Sequence, residues 1–150
     1  MAEKELQEFF LEKKKKASSG NVDWQAKKNS WIQSIDDLYR EITEQYLKAS
    51  IGESVDVSYM TKQIAEDYIG EYTVRELVLQ VGAEKVVFSP KGTNLVGASG
   101  RIDIRGDMGE VTIILQPDGW LVVERRTPAL KLTPLNEQSL LTVLKNVMRR

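Results

Sequence analysis

The sequence predicts an α+β domain: N-terminal helices, one of them long and amphipathic, an antiparallel meander of about seven short strands, and a C-terminal amphipathic helix. Three observations carry this. Residues 21 to 50 place apolar side chains at helical spacing, residues 110 to 126 alternate with the period of a strand, and residues 133 to 148 return to helical spacing. The chain has 150 residues, 41% hydrophobic and 29% charged, which suits a folded domain large enough to bury a core.

Residues 1 to 20 read as a charged helical arm and linker, and residues 21 to 150 as a single domain. Leu6, Phe9, Phe10 and Lys13 share one side of the arm, and Lys13 to Lys16 form a basic run beside Glu5, Glu8 and Glu12. Such a run reads more simply as a solvated face than as a phosphate site. Ser18-Ser19-Gly20-Asn21 marks a linker or helix break.

Asn21 or Asp23 can cap the long helix, with Gly52 as its stop. Trp24, Trp31, Ile35, Leu38, Ile42 and Ala49 line its stripe, widened by Ile32, Tyr39 and Tyr46. A stripe this wide packs on a sheet or on other helices, and dimerisation through the tryptophan face is the functional rival. Either arrangement buries Trp31.

From residue 53 the period becomes two. Strands are expected near residues 55–59, 73–81, 85–89, 93–96, 101–105, 111–116 and 120–126, with turn signals between them, among them Pro90-Lys91-Gly92. Residues 60 to 71 are ambiguous and lean towards strand. In the hairpin 110–126, Pro117 fixes φ, Asp118 bonds its own backbone and Gly119 accepts positive φ. Both faces of that hairpin are apolar, as expected of a central pair covered on each side. Short connections favour a meander over βαβ units, which need long crossovers. Thr133-Pro134 resembles the opening of the last helix, with Leu140, Leu141, Leu144, Val147 and Met148 as its stripe. A meander closed by a terminal helix is similar in outline to the pleckstrin-homology-type barrel, a likeness of layout with no motif behind it.

Composition bounds the chemistry. The chain has no cysteine and no histidine, so thiolate sites, disulfides, the commonest general base and the commonest transition-metal ligand are missing. A net charge of −1 provides no global field for nucleic acid or anionic membrane. No apolar run reaches the length of a membrane span, no signal-peptide core follows Met1, and a cytoplasmic setting is expected.

Individual motifs are weak. Arg105-Gly106-Asp107 spells an integrin-recognition tripeptide, but turns select glycine and aspartate anyway. Pro117-Asp118 with Glu124-Arg125-Arg126 resembles the PD-(D/E)xK nuclease pattern, yet Arg126 stands where a lysine is needed. Gly92, Gly97 and Gly100 precede a strand rather than a helix, so they make no phosphate cradle. Arg101, Asp103 and Arg105 share a strand face, either a surface charge ladder or a site for a partner's carboxylate or phosphate.

The leading expectation is a small non-enzymatic binding domain, an adaptor or an immunity-type inhibitor, needing no cofactor and no metal. Its partner is another protein or a second copy. Trp24 and Trp31 carry the contact if the helix faces the partner; Arg101, Arg105, Trp120 and Arg125 carry it if the sheet does. The alternatives are single-stranded nucleic-acid or phospholigand binding through the sheet, for which Arg125, Arg126, Arg149, Arg150 and Trp120 are candidates, and a metal-dependent hydrolase using Asp103, Asp107, Asp118 or Glu124.

Overall fold

The computed structural model describes the backbone of residues 2–67, 69–93, 99–125 and 129–149, and side chains at 3–11, 24–67, 69–93, 99–124 and 129–149. The α+β layout is as expected. Helix α1 (Ala2–Glu41) leads through a π-helical turn (Ile42–Tyr46) into seven antiparallel strands and helix α2 (Glu137–Val147). The strands are β1 (Asp56–Glu66), β2 (Gly70–Val81), β3 (Glu84–Gly92), β4 (Gly100–Gly106), β5 (Gly109–Gln116), β6 (Gly119–Arg125) and β7 (Lys131–Pro134). They lie in one sheet in sequence order, a pure meander.

At 1.5 Å per residue, α1 is about 60 Å long. It runs helically through Ser18-Ser19-Gly20-Asn21, where a break was expected. Serine and glycine cost helix stability but do not forbid helix as proline does, and the segments on either side favour it. The helix ends earlier than residue 50. The Thr43 hydroxyl bonds back to the Tyr39 carbonyl at 2.9 Å, Leu47 N–H reaches Ile42 O at 2.9 Å, and Gly52 takes φ 88° to reverse the chain.

Trp31, Ile35, Leu38 and Tyr39 from α1, with Ile42 from the π-helical turn, meet Leu77, Phe88, Ile102, Ile104, Ile113 and Val122 from the sheet, and Leu140, Val143 and Val147 from α2. Both helices therefore cover the same sheet face. The β5–β6 hairpin is not central and not covered by a helix on each side: it lies between β4 and β7, and on its outer face Ile114, Leu121 and Val123 are only half-buried.

The ambiguous segment after Tyr59 continues β1 to Glu66, so the β1–β2 hairpin outreaches the rest of the sheet. β2 pairs with β3 only from Leu77 onward, and beyond that point the hairpin is a two-stranded ribbon, free to twist strongly. Burial records the twist: Tyr72 and Val74 are buried on one side, Leu77 and Leu79 on the other. The Tyr39 hydroxyl fills the fork where the strands part, donating to Arg75 O at 2.8 Å and to Phe88 O at 3.2 Å.

Three strand expectations change. Pro90-Lys91-Gly92 lies within β3, with a register shift between Pro90 and Gly92, because β2 has already departed and no partner needs the missing Pro90 N–H. Thr93 lies outside any strand and residues 94–96 lie outside the described ones. Thr133-Pro134 ends β7 rather than opening α2. The N-cap is Asn136, whose side chain accepts from Ser139 N at 2.9 Å while Asn136 N donates to Ser139 Oγ at 2.8 Å.

Candidate interaction surfaces

The six residues singled out from the sequence do not form one patch. Trp31 is a core residue, 2% exposed. Its ring sits 5.9 Å from that of Trp120, and a Cβ on Gly100 would approach it to 2.1 Å. Trp31 is thus buried, as either arrangement of the helix required, and in this fold it packs against the sheet. Its indole N–H has no hydrogen-bond partner among the described residues. Trp120 is half-buried on the helix-facing side of β6, opposite Leu115. With Leu38, Glu41 and Tyr46 it lines a cleft of about 450 Å³. The Tyr46 hydroxyl donates to Glu41, which pushes the phenol up to about 12. Trp24 is partly exposed on α1, with Lys27 Nζ 4.9 Å over its ring.

Arg101 and Arg105 occupy the opposite, outer face of β4, since Ile102 and Ile104 fill the core. They and Trp120 are therefore on opposite sides of the sheet. Arg125 ends β6 opposite Lys131; its side chain, like Arg126 and Arg150, lies outside the described residues.

The charge ladder on β4 is not simply solvated. Asp103 is 3% exposed, held by Arg101 Nε at 2.9 Å and Nη2 at 3.1 Å, and by the Thr112 hydroxyl at 2.9 Å. Burial pushes this carboxyl up, but the Arg101 fork and the Thr112 hydroxyl outweigh it and hold it below its ordinary value. Arg101 is committed to this pair, whereas Arg105 is exposed. Near it, Lys62 Nζ donates to Ser89 Oγ at 3.0 Å and Pro90 O at 2.8 Å. Desolvation, then the positive charge of Lys91 and of Arg105, lowers the Lys62 ammonium.

The remaining carboxylates are dispersed in structural roles. Asp107 pairs with Arg149 at 2.6 Å, which packs the Arg105-Gly106-Asp107 turn against the end of α2, where Gly106 leaves no room for a Cβ beside Val147 O. Glu124 pairs with Lys131 at 3.1 Å, and Asp118 sits in the β5–β6 turn. Glu66 accepts from Thr93 N at 2.7 Å and from the Tyr72 hydroxyl, tying the long hairpin to the end of β3. Among the described residues no three such side chains gather to hold a cation.

None of the six residues singled out from the sequence lies in the N-terminal half of α1. Leu6, Phe9 and Phe10 are each more than half exposed, Phe10 at 63%. Leu6, Phe10, Ala17, Trp24, Trp31, Ile35, Leu38 and Ile42 follow one another in steps of three, four and seven. The exposed residues therefore prolong the seam that the sheet buries further along the helix. That spacing was visible in the sequence; which half is covered was not.

No helix among the described residues is long and apolar enough to cross a membrane. Comparison with protein-family models, curated proteins and solved structures gives no match.

Proposed function

We propose that this chain is a non-enzymatic protein-binding module in which the folded body anchors α1 and the N-terminal half of α1 makes the contact. The observation that supports this is the exposed continuation of the core seam through Leu6, Phe9 and Phe10. A helix laying such a stripe into an apolar surface is a recurrent recognition mode, with large aromatics as anchors. The dispersal of the carboxylates favours this reading over a hydrolase. A tagged full-length chain, wild type or carrying Phe9→Glu and Phe10→Glu together, would be used as bait in lysate of its own cells. The expected result is at least one stoichiometric protein, this chain included, that the variant loses. Identical capture by both baits would sink the reading.

A second reading, anion binding on the outer sheet face, draws on Lys62, which donates to Ser89 and lies within reach of the positive charges of Lys91 and Arg105. Against its nucleic-acid form, Trp120, the stacking candidate, faces the helices. Binding of single-stranded oligonucleotide or inorganic phosphate that fades with salt and with Arg105→Ala would favour it; salt-insensitive or absent binding would remove it.

A further inference from the structure

What covers the exposed seam follows from the order of charges along it, and this step rests on the arm reading above. We infer that the occupant is a second copy of this chain, the two arms packing antiparallel with their midpoint between Phe9 and Phe10.

The sequence sets acids at 3, 5, 8 and 12, with a single lysine at 4 among them, and then lysines at 13 to 16, all within the helical span of α1. Parallel arms would put acid beside acid and lysine beside lysine. Antiparallel arms put each acidic half beside the other copy's lysine run, and charges flanking an apolar seam are what select helix orientation. Helical periodicity places positions 3 and 14 on one edge of the seam and positions 5 and 16 on the other. In an antiparallel pair, like edges face each other. With the midpoint between 9 and 10, Glu3 comes within two residues, about 3 Å along the axis, of the level of Lys14 of the other copy. Glu5 stands in the same relation to Lys16. Phe9 and Phe10 of the two copies meet at the centre, and position 6 is level with position 13.

The folded bodies permit this register. Position 2 of one arm is level with position 17 of the other, fourteen residues before Trp31, the first residue of α1 in the core cluster. The bodies lie at opposite ends of the paired arms, so neither obstructs the other.

The chain has no native cysteine, so introduced cysteines report pairing without background. Sedimentation of the full-length chain across the micromolar range should show a monomer–dimer equilibrium, and Phe10→Glu should weaken it by roughly tenfold or more. The unfolding midpoint of the isolated monomer should not change, since Phe10 makes no core contact. Under mild oxidation, a mixture of the Glu5→Cys and Lys16→Cys chains should form the mixed disulfide, whereas Lys16→Cys alone should not cross-link. Efficient Lys16→Cys self-cross-linking, or a dimer insensitive to Phe10→Glu, would overturn the antiparallel arm pair. A monomer at every concentration would overturn self-pairing. If that monomer still captured a different protein through Phe9 and Phe10, the arm reading would stand without this inference; if it captured nothing, both would fall.

Discussion

The two halves of α1 carry the same kind of stripe and meet different fates. From Trp31 to Ile42 the seam is sealed by the sheet and by α2, while from Leu6 to Phe10 similar side chains face outward. Periodicity says only that a face is apolar; what determines its role is the surface that the rest of the chain can bring to it. The sheet covers the last three turns of α1, and Leu6, Phe9 and Phe10 lie exposed beyond them. An exposed apolar stripe of this kind is material for an interface.

The comparison breaks most directly at Trp31. Trp31→Ala removes the largest buried side chain of α1 and should destabilise the monomer by about 3–5 kcal/mol in denaturant unfolding. Gly100→Ala attacks the same contact from the sheet, where the added methyl would meet the Trp31 ring, and should cost about 1–3 kcal/mol. If both left the unfolding midpoint unchanged, the covered half of the seam would be no core at all.

Next in size is the outer face, where one buried acid replaces an apolar contact. Asp103 is held below its ordinary value, so its contribution is fully present above the unfolded aspartate value of about 3.9 and is lost as pH falls through the folded value. Asp103→Asn should cost roughly 1–3 kcal/mol at neutral pH, a range that allows for the partial exposure of Arg101. The difference between wild type and variant should shrink as the solution is acidified below about pH 4. A difference that stayed constant down to acid unfolding would show that the Arg101–Asp103 pair carries no net stability.

The sequence revealed periods and turns well and long-range cover poorly. The β4, β5 and β6 strands and the Pro117-Asp118-Gly119 turn are where alternation and turn chemistry put them, with Gly119 at φ 125°. Of the expected strand 93–96, Thr93 lies outside any strand and the rest lies outside the described residues, while β7, at four residues, is too short to show alternation and carries a helix-start signal instead. Thr133-Pro134 satisfies the local rule for a helix N-terminus equally well as the end of an edge strand, and the choice depended on Trp120 O accepting from Leu135 N at 2.9 Å. The site residues suffered in the same way. Trp31 and Trp120 read as members of rival surfaces, and the fold packs their rings together at a tilt. Alternation placed Arg101, Asp103 and Arg105 on one face but gave no sign that Thr112, nine residues on, would help bury the middle one.

The smallest expected effect is the sharpest test of the difference between the two halves. Phe10→Ala removes an aromatic ring of the kind that costs several kcal/mol in a core, yet at concentrations where the chain is monomeric it should change unfolding stability by no more than about 0.5 kcal/mol. The ring is 63% exposed, and its ring neighbour is Phe9 of the same helix, at 5.8 Å between centroids. At concentrations where arms pair, the same substitution should lower the midpoint, because a partner that binds only the folded helix stabilises it by mass action. The effect of Phe10→Ala should therefore grow with protein concentration while that of Trp31→Ala keeps its large monomer term throughout. A loss at Phe10 that is large and independent of concentration would mean that the arm folds back onto its own body, and the two halves of α1 would then be one core.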